Sequence, residues 1–198
     1  MLLLASASPR RRELLLNAGF AFEVLSVPVA EDPLPGESAA ALVRRLAASK
    51  ARAARQAAKS DSRFAASSTP LLFLGADTIV TVDGQILGKP ADAADARRML
   101  QLLSGRTHQV ITGVALLADS IEEIAAETTE VTFASLSPEE IAEYVTTGVP
   151  MDKAGAYAIQ GYASRWVPRI RGCYFNVVGL PISLVSALIE GVAATAIR

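Results

Sequence analysis

Residues 74–90 read LGADTIVTVDGQILGKP. The apolar run predicts a strand, which Asp77 and Thr78 interrupt with an acid and a hydroxyl. Asp83-Gly84 suits a type I′ turn, so we expect a hairpin whose second strand leads to Lys89. A strand end beside a tight turn is rigid enough to aim a carboxylate, which favours catalysis. The same pattern fits a structural hairpin in which Asp77 bonds only to nearby backbone, and the hairpin alone leaves both interpretations open.

The composition limits the classes of function. The chain has 198 residues, of which 51% are hydrophobic and 20% charged, as is typical of a globular protein. A net charge of -1 and a pI near 5.9 provide no basic surface, so we expect neither nucleic acid nor a membrane as partner. Since the sequence has one cysteine, Cys173, and one histidine, His108, it excludes an internal disulfide and a His/Cys zinc cluster. A metal would therefore have oxygen ligands, which indicates Mg²⁺ or Mn²⁺.

The amino-terminal residues do not resemble a targeting signal. The apolar run Leu2 to Ala5 is too short, and the basic cluster Arg10 to Arg12 follows it where a signal peptide would have its basic residues first. No stretch approaches the roughly 20 apolar residues that span a bilayer. We therefore expect a cytoplasmic protein.

The first strand and helix form a candidate anion site. Leu2 to Ser6 is predicted to be a strand, and Ser8-Pro9 starts a helix that runs to about Ala18. Backbone amides of a helix start, together with nearby arginines, favour an anion. Arginines in a first helical turn are also commonly solvated, so this motif alone does not decide.

The next segments bring an acid and a lysine to notable positions. A strand is predicted from Phe20 to Val29, and Glu31 follows it, either as a metal ligand or as a solvated loop acid. A long helix is predicted from Ser38 to about Lys59. At 100° per residue, Lys50 falls on the apolar face of this helix, so it either snorkels outward or meets an anion.

The remaining elements alternate between helix and strand. The pattern predicts a helix capped by Asp92 and ending at Gly105, a helix starting at Ser137-Pro138 and ending at Gly148, a closing helix Ile182 to Ile189, and strands His108 to Leu117, Glu127 to Leu136 and Arg165 to Arg171. The strand from His108 is apolar on both faces and should be central. His108 is expected to be structural, and Trp166 to lie in the core or on a dimer surface. The order predicts a single α/β domain over residues 1–198.

A glycine-rich segment opens the last third of the chain. Residues 149–161 combine glycines and small residues with an isolated Gln160. Such a composition indicates backbone that passes close to a ligand.

Five motifs together resemble one known family. They occur at residues 5–11 (ASASPRR), 75–78 (GADT), 88–90 (GKP), 152–161 (DKAGAYAIQG) and 176–181 (NVVGLP). Their combination and order resemble the Maf family, the septum-formation-inhibitor-like nucleoside triphosphate pyrophosphatases. The resemblance spans the chain from end to end.

The resemblance implies a fold and a reaction. The family fold is an elongated mixed α/β sheet with flanking helices and two lobes around a cleft, related to the inosine triphosphate pyrophosphatases and often dimeric. The implied protein is a cytoplasmic enzyme, and a candidate homodimer, that hydrolyses a nucleoside triphosphate to the monophosphate and pyrophosphate with a divalent metal.

The resemblance also assigns roles to particular residues. Asp77 corresponds to the proton acceptor, and with Glu31 to a metal ligand. The residues that match positions for phosphate and metal handling are Ser8, Arg11, Glu31, Lys50 and Lys89. Of these, the two lysines are expected to be catalytic. Arg10, Thr78 and Gln160 match the branch that acts on dTTP and UTP, since the 7-methyl-GTP branch has tryptophan, glutamine and glutamate there. One position departs from the family: Ala30 replaces an expected acid, and Asp32 follows Glu31 instead.

Two other functions compete with this assignment. A non-catalytic regulator of cell division could use the same residues to bind a nucleotide without turnover. An inosine or xanthosine triphosphate pyrophosphatase of the related fold is the nearest enzymatic rival. The acid, the basic residues and the hydroxyl at their motif positions favour an enzyme over the non-catalytic regulator, and pyrophosphate release across a panel of nucleotides would separate the two enzymes.

Overall fold

The structure is a computed structural model that describes residues 1–118 and 121–196. Its strands are β1 (Leu2–Leu4), β2 (Phe22–Val24), β3 (Leu72–Val82), β4 (Gln85–Leu87), β5 (Thr107–Ala118), β6 (Ile121–Thr132) and β7 (Arg169–Arg171). Its α-helices are α1 (Pro9–Asn17), α2 (Ala39–Ala58), α3 (Ala93–Leu103), α4 (Pro138–Thr146), α5 (Tyr174–Val178) and α6 (Ile182–Ala196). Three short 3₁₀ helices cover Val149–Asp152, Ala154–Ala156 and Gly161–Trp166.

The seven strands form one mixed sheet. Its order is β2-β1-β3-β5-β6-β7, with β4 paired to β3. Strand β1 runs parallel to both β2 and β3, whereas β4 and β7 are antiparallel to β3 and β6. The predicted α/β class, with a mixed sheet and flanking helices, is therefore confirmed. Strand β5 lies between β3 and β6, as its two apolar faces predicted.

The chain divides into two compact units. The first contains Met1–Asp77, Thr112–Glu127 and Gly179–Arg198, and the second contains Thr78–Ile111 and Thr128–Val178. Strands β3, β5 and β6 each contribute to both units, and the division within β3 falls between Asp77 and Thr78.

The core of the first unit is built around α2. Its buried cluster contains five alanines of α2, together with apolar residues that include members of β1, β3 and β5. A Cβ added at Gly75 would lie 2.1 Å from the Ala47 carbonyl oxygen, and one at Gly113 would lie 2.2 Å from that of Val43. Glycine on the strands therefore allows the backbone of α2 to approach the sheet closely.

The core of the second unit is aromatic. Phe133 makes edge-to-face contacts with His108 and Tyr157, at ring distances of 4.9 and 4.8 Å, and a longer one with Trp166. Trp166 is buried, which confirms the core interpretation. The His108 Nε2 lies 2.8 Å from the Tyr157 hydroxyl in this cluster, and His108 has the structural role expected for it.

The hairpin of β3 and β4 follows the prediction closely. Asp83 and Gly84 have φ of 49° and 78°, the left-handed values that a type I′ turn requires at both central positions. The helix starts at Ser8, Ser38, Asp92 and Ser137 are also confirmed, since each side chain accepts a hydrogen bond from the backbone N–H three residues later.

Several predicted bounds were wrong. The strand predicted over Phe20 to Val29 is only Phe22–Val24, because the chain then enters an irregular segment containing Pro28. The strand predicted over Glu127 to Leu136 is Ile121–Thr132, whose exposed glutamates concealed its start. The strand predicted from Arg165 to Arg171 is a 3₁₀ helix up to Trp166, and only Arg169–Arg171 pairs with β6 after Pro168. The closing helix α6 continues to Ala196.

No helix within the described ranges is both long and apolar enough to cross a membrane.

Candidate functional site

Two carboxylates converge on Lys50 in the first unit. The Lys50 Nζ donates to the Asp77 Oδ1 at 2.6 Å and forms an ion pair with the Glu31 Oε1 at 2.5 Å. The side chains of Lys50 and Asp77 are 14% and 12% exposed, whereas that of Glu31 is 52% exposed. The lysine on the apolar face of α2 thus meets anions, and the anions are the protein's own carboxylates.

Helix α2 is placed to make this contact because Gly75 precedes Asp77 by two residues on β3. Side chains two apart on a strand point to the same face. The face that lacks a side chain at Gly75 touches Ala47 and Ala51, and Lys50 lies directly before Ala51. The close approach of helix and strand therefore brings the ammonium group to the Asp77 carboxylate.

Arg11 connects three of the motifs within the first unit. Its Nε donates to the Gly179 carbonyl oxygen at 2.8 Å, and its Nη1 donates to the Ala76 carbonyl at 2.9 Å and the Ser6 Oγ at 3.2 Å. Burial lowers the pKa of the Arg11 guanidinium, and the nearby Asp77 carboxylate acts in the opposite direction. The guanidinium stays charged, since its ordinary pKa is far above neutrality. It places positive charge near Asp77 and ties the surrounding backbone together.

The start of α1 has the chemistry of an anion site. The Ser8 Oγ accepts from the Arg11 N–H at 3.5 Å, and the Ser6 Oγ accepts from the Ser8 N–H at 3.3 Å. Arg10, half-buried, follows in the first turn. Amides of a first helical turn and basic side chains favour a bound phosphate.

The other predicted site residues belong to the second unit. Thr78 is half-buried on β3, and Lys89 is exposed between β4 and α3. The segment before Lys89 is fixed, because the Gly88 carbonyl accepts from the Gly155 N–H at 3.0 Å. Gly155 has φ of +68° and any side chain at this position would press on Val80, so only glycine suits this contact. The 88–90 and 152–161 motifs are thus in direct contact.

Gln160 lies at a hollow of the second unit. The hollow has a volume of about 390 Å³ and is lined by Ile159, Gln160, Gly161, Ser164, Val167, Ile170 and Tyr174. The Gln160 amide offers both donor and acceptor groups beside aliphatic side chains and the ring of Tyr174. The role of Gln160 towards the base stays a prediction.

Sequence reasoning missed an ion pair close to Glu31. Arg45 binds both oxygens of Glu37 at 2.7 Å, yet helical periodicity placed Arg45 on the solvated face of α2. Glu37 precedes the helix and lies eight residues from Arg45, so the spacing of charge pairs within a helix could not reveal it. Sequence patterns likewise did not predict the hydrogen bond from the Arg45 guanidinium to the Asp32 carbonyl.

The acids of the first unit suit a divalent cation that a substrate helps to hold. Within residues 1–118 and 121–196 there is no group of three or more His, Cys, Asp or Glu side chains able to bind a metal. Asp77 and Glu31 supply two convergent carboxylates. Mg²⁺ is commonly bound by one or two carboxylates, with phosphate oxygens and water completing the shell. The donor set therefore fits Mg²⁺ or Mn²⁺ in a complex with a phosphorylated substrate.

Comparison with known proteins gives consistent matches along the chain. The sequence profile of the family described as Maf-like protein matches residues 1–192. A protein of Koribacter versatilis named dTTP/UTP pyrophosphatase is 54% identical over 184 residues, covering 93% of this chain and 90% of the relative. Proteins of the same name from Citrifermentans bemidjiense and Yersinia pestis are 52% and 51% identical, covering 94% and 91% of this chain and 93% and 87% of their own. The chain belongs to the Maf family.

Proposed function

We propose that this protein is a nucleoside triphosphate pyrophosphatase that hydrolyses dTTP and UTP to the monophosphate and pyrophosphate. The observation that carries the proposal is the nearly buried Asp77 carboxylate, held 2.6 Å from Lys50 at the start of the predicted hairpin. Relatives about half identical over most of the chain are named dTTP/UTP pyrophosphatase, which supports the same reaction.

The proposed chemistry begins at Asp77. A carboxylate has two oxygens and several lone pairs, so Asp77 can accept from Lys50 through Oδ1 and take a proton from water through Oδ2. The water attacks the α-phosphorus, and pyrophosphate leaves. Lys50 fixes the direction of the carboxylate, because a charged hydrogen bond at this distance restricts its rotation. Positioning and charge stabilisation carry most of the catalysis of phosphoryl transfer.

Asp77 and Glu31 are the residues that would hold the divalent cation. When bound, the cation offsets negative charge on the triphosphate. Lys50 binds the same two carboxylates, so it keeps them together before substrate and metal arrive. The basic residues Arg10 and Arg11 and the amides at the Ser8 cap would bind phosphate oxygens.

The proposed preference for thymine or uracil rests on Arg10, Thr78 and Gln160, the three residues that match the dTTP and UTP branch. The Gln160 amide can pair with the imide edge of thymine or uracil, and its place at the hollow of the second unit supports this role. The roles of Thr78 towards the base or sugar and of Lys89 towards the phosphates stay predictions, as do the cytoplasmic location, the homodimer and a part in septum formation.

The test is the Asp77→Asn variant, which keeps the shape of the side chain and removes its ability to accept a proton. We expect kcat for dTTP with Mg²⁺ to fall by about 10² to 10⁴-fold, the usual contribution of a general base. The affinity for a non-hydrolysable dUTP analogue, measured by calorimetry, should change far less. Pyrophosphate release across dTTP, UTP, CTP, GTP, 7-methyl-GTP, ITP and XTP ranks the substrates.

Asp83→Asn is the matched control. Asp83 lies in the exposed turn of the same hairpin with φ of 49°, a conformation that asparagine tolerates. It should leave turnover within about twofold of wild type. Near wild-type turnover by Asp77→Asn would refute the role of Asp77. Absence of release from every nucleotide would favour the non-catalytic regulator, and a preference for ITP or XTP would favour the inosine-type enzyme.

A further inference from the structure

The segment that carries Glu31 has little regular structure of its own. It connects β2, which ends at Val24, to α2, which begins at Ala39. Burial does not fix the Glu31 side chain, since half of it is exposed. The ion pair with Lys50 nevertheless requires the segment to take one conformation. The contacts of residues 32–37 therefore contribute to the position of Glu31.

Arg45 makes that contact through a single guanidinium group. Its Nε donates to the Glu37 Oε1 at 2.7 Å, and its Nη2 donates to the Glu37 Oε2 at 2.7 Å and to the Asp32 carbonyl at 2.9 Å. The last bond reaches the residue directly after Glu31. Arg45 thus binds the segment at two points: at Asp32, beside Glu31, and at Glu37, at the end of the segment.

Glu37 closes the segment on itself. Its Oε2 also accepts from the Leu34 N–H at 3.1 Å, and its own N–H donates to the Leu34 carbonyl at 3.0 Å. The Glu37 side chain is only 8% exposed, and that of Arg45 is 29% exposed. Hydrogen bonding to Arg45 lowers the pKa of Glu37 to about 2, so the pair is charged throughout the neutral range.

Helix α2 provides both the arginine that holds the segment and the lysine that donates to the Glu31 carboxylate. Arg45 and Lys50 are five residues apart on α2, which corresponds to roughly 7.5 Å along a rigid helix axis. Arg45 holds the backbone next to Glu31, and Lys50 binds its carboxylate. Both contacts therefore start from one rigid element, which fixes the separation of the Arg45 and Lys50 backbone positions.

We propose that Arg45 and Glu37 are positioning residues for Glu31, which fix residues 31–37 on α2 so that the Glu31 carboxylate lies beside Asp77 before the divalent cation and the triphosphate bind. This inference rests on the proposed function only for the identity of the substrate. The placement of Glu31 can be measured without turnover.

The first test follows metal binding. Mn²⁺ alone is titrated into wild type, Arg45→Gln and Arg44→Gln, and free Mn²⁺ is measured by electron paramagnetic resonance. We expect Arg45→Gln to weaken Mn²⁺ binding by roughly 10 to 100-fold, the range found when residues that orient metal ligands are removed. Arg44→Gln is the matched control, because Arg44 is exposed and donates to the Ala40 carbonyl within its own helix. It should bind Mn²⁺ like wild type.

A double-mutant cycle separates positioning from general stability. If Arg45 acts through Glu31, Glu31→Gln alone and Glu31→Gln combined with Arg45→Gln should bind Mn²⁺ with equal affinity. Additive losses would overturn the proposal. Arg45→Lys, which keeps the charge but not the planar fork, should restore only part of the affinity.

Hydrogen exchange provides a readout that needs no metal. The Leu34 and Glu37 amides should exchange at least about tenfold faster in Arg45→Gln, and at the wild-type rate in Arg44→Gln. Unchanged exchange and unchanged Mn²⁺ binding in Arg45→Gln would refute the positioning role. A wild-type protein that binds Mn²⁺ but hydrolyses no nucleotide would refute the proposed function. The positioning role of Arg45 would then be decided by Mn²⁺ binding and hydrogen exchange alone.

Discussion

Replacing Gly75 by alanine should damage stability and catalysis together. The added Cβ would lie 2.1 Å from the Ala47 carbonyl oxygen and 2.8 Å from the Ala51 nitrogen, whereas ordinary contacts begin at 3.4 Å. Helix α2 or strand β3 must therefore move by about 1 Å, and both obstacles are backbone atoms that cannot rotate away. Overpacking costs about 1 to 3 kcal/mol, and we expect the upper end here, about 3 kcal/mol.

The same movement reaches the site. Lys50 precedes Ala51 on the displaced helix, and Asp77 follows Gly75 on the same face of the strand, so their 2.6 Å hydrogen bond should lengthen. We expect kcat/KM for dTTP to fall by at least about tenfold, since displacements of 1 Å in a positioned site cost up to 10²-fold. Urea unfolding and steady-state pyrophosphate release measure the two effects.

Gly191→Ala is the control for this experiment. Gly191 lies in α6, is exposed, and has no atom within 4 Å of an added Cβ. Alanine there should stabilise the protein by about 1 kcal/mol, the difference in helix propensity, without affecting turnover. If Gly75→Ala unfolded at the wild-type urea concentration with wild-type kcat/KM, the inferred closeness of α2 and β3 would be wrong.

Two further predictions concern the second unit. Burial lowers the pKa of His108 to about 4, so the folded protein keeps the ring neutral while the unfolded chain binds a proton below pH 6.5. Stability should therefore fall as the pH drops from 6.5 to 4, by up to about 3 kcal/mol, and His108→Gln should remove this part of the pH dependence in urea titrations. If the free energy of unfolding of wild type and of His108→Gln depended on pH in the same way, this prediction would be wrong. Ser137→Ala should lower the free energy of unfolding by about 1 kcal/mol, because the Ser137 Oγ caps the Glu140 N–H at 3.1 Å. The same substitution at the exposed Ser62 should have little effect, and an equal loss there would discount the cap.

Local patterns predicted those parts of the fold that depend on neighbours in the sequence. The turn at Asp83-Gly84 needs two left-handed residues, and a residue pair that tolerates them is visible in the chain. The cap at Ser137 depends on Glu140 three residues later. Lys50 was identified as unusual because helical periodicity alone put it among apolar residues. That it binds Asp77 required the fold, since the pair is 27 residues apart.

Contacts between distant segments could not be predicted in this way. The Tyr157 hydroxyl meets His108 from 49 residues away, and Arg11 reaches the Gly179 carbonyl across 168 residues. The end of the 3₁₀ helix, at Arg165 and Trp166, was included in a predicted strand because Trp166 and Val167 favour β structure locally. Packing of Trp166 against Tyr144 and Phe133 outweighs that preference.

The alanine content of α2 has a consequence beyond helix propensity. Five alanines of α2 are at most 3% exposed: Ala47, Ala48, Ala51, Ala54 and Ala58. Their side chains are single methyl groups, so this part of the helix can lie close to the sheet. Lysine has a flexible four-carbon stem, and its ammonium can be held in one place only if the stem starts from a fixed point. The small face fixes that point close to β3, so that Lys50 reaches Asp77 directly and remains largely shielded. Larger residues at 47 or 51 could be accommodated in an apolar core by moving the helix outward, but the ammonium would move with it. The residues that bring α2 close to the sheet therefore also set the geometry of the proposed catalytic pair.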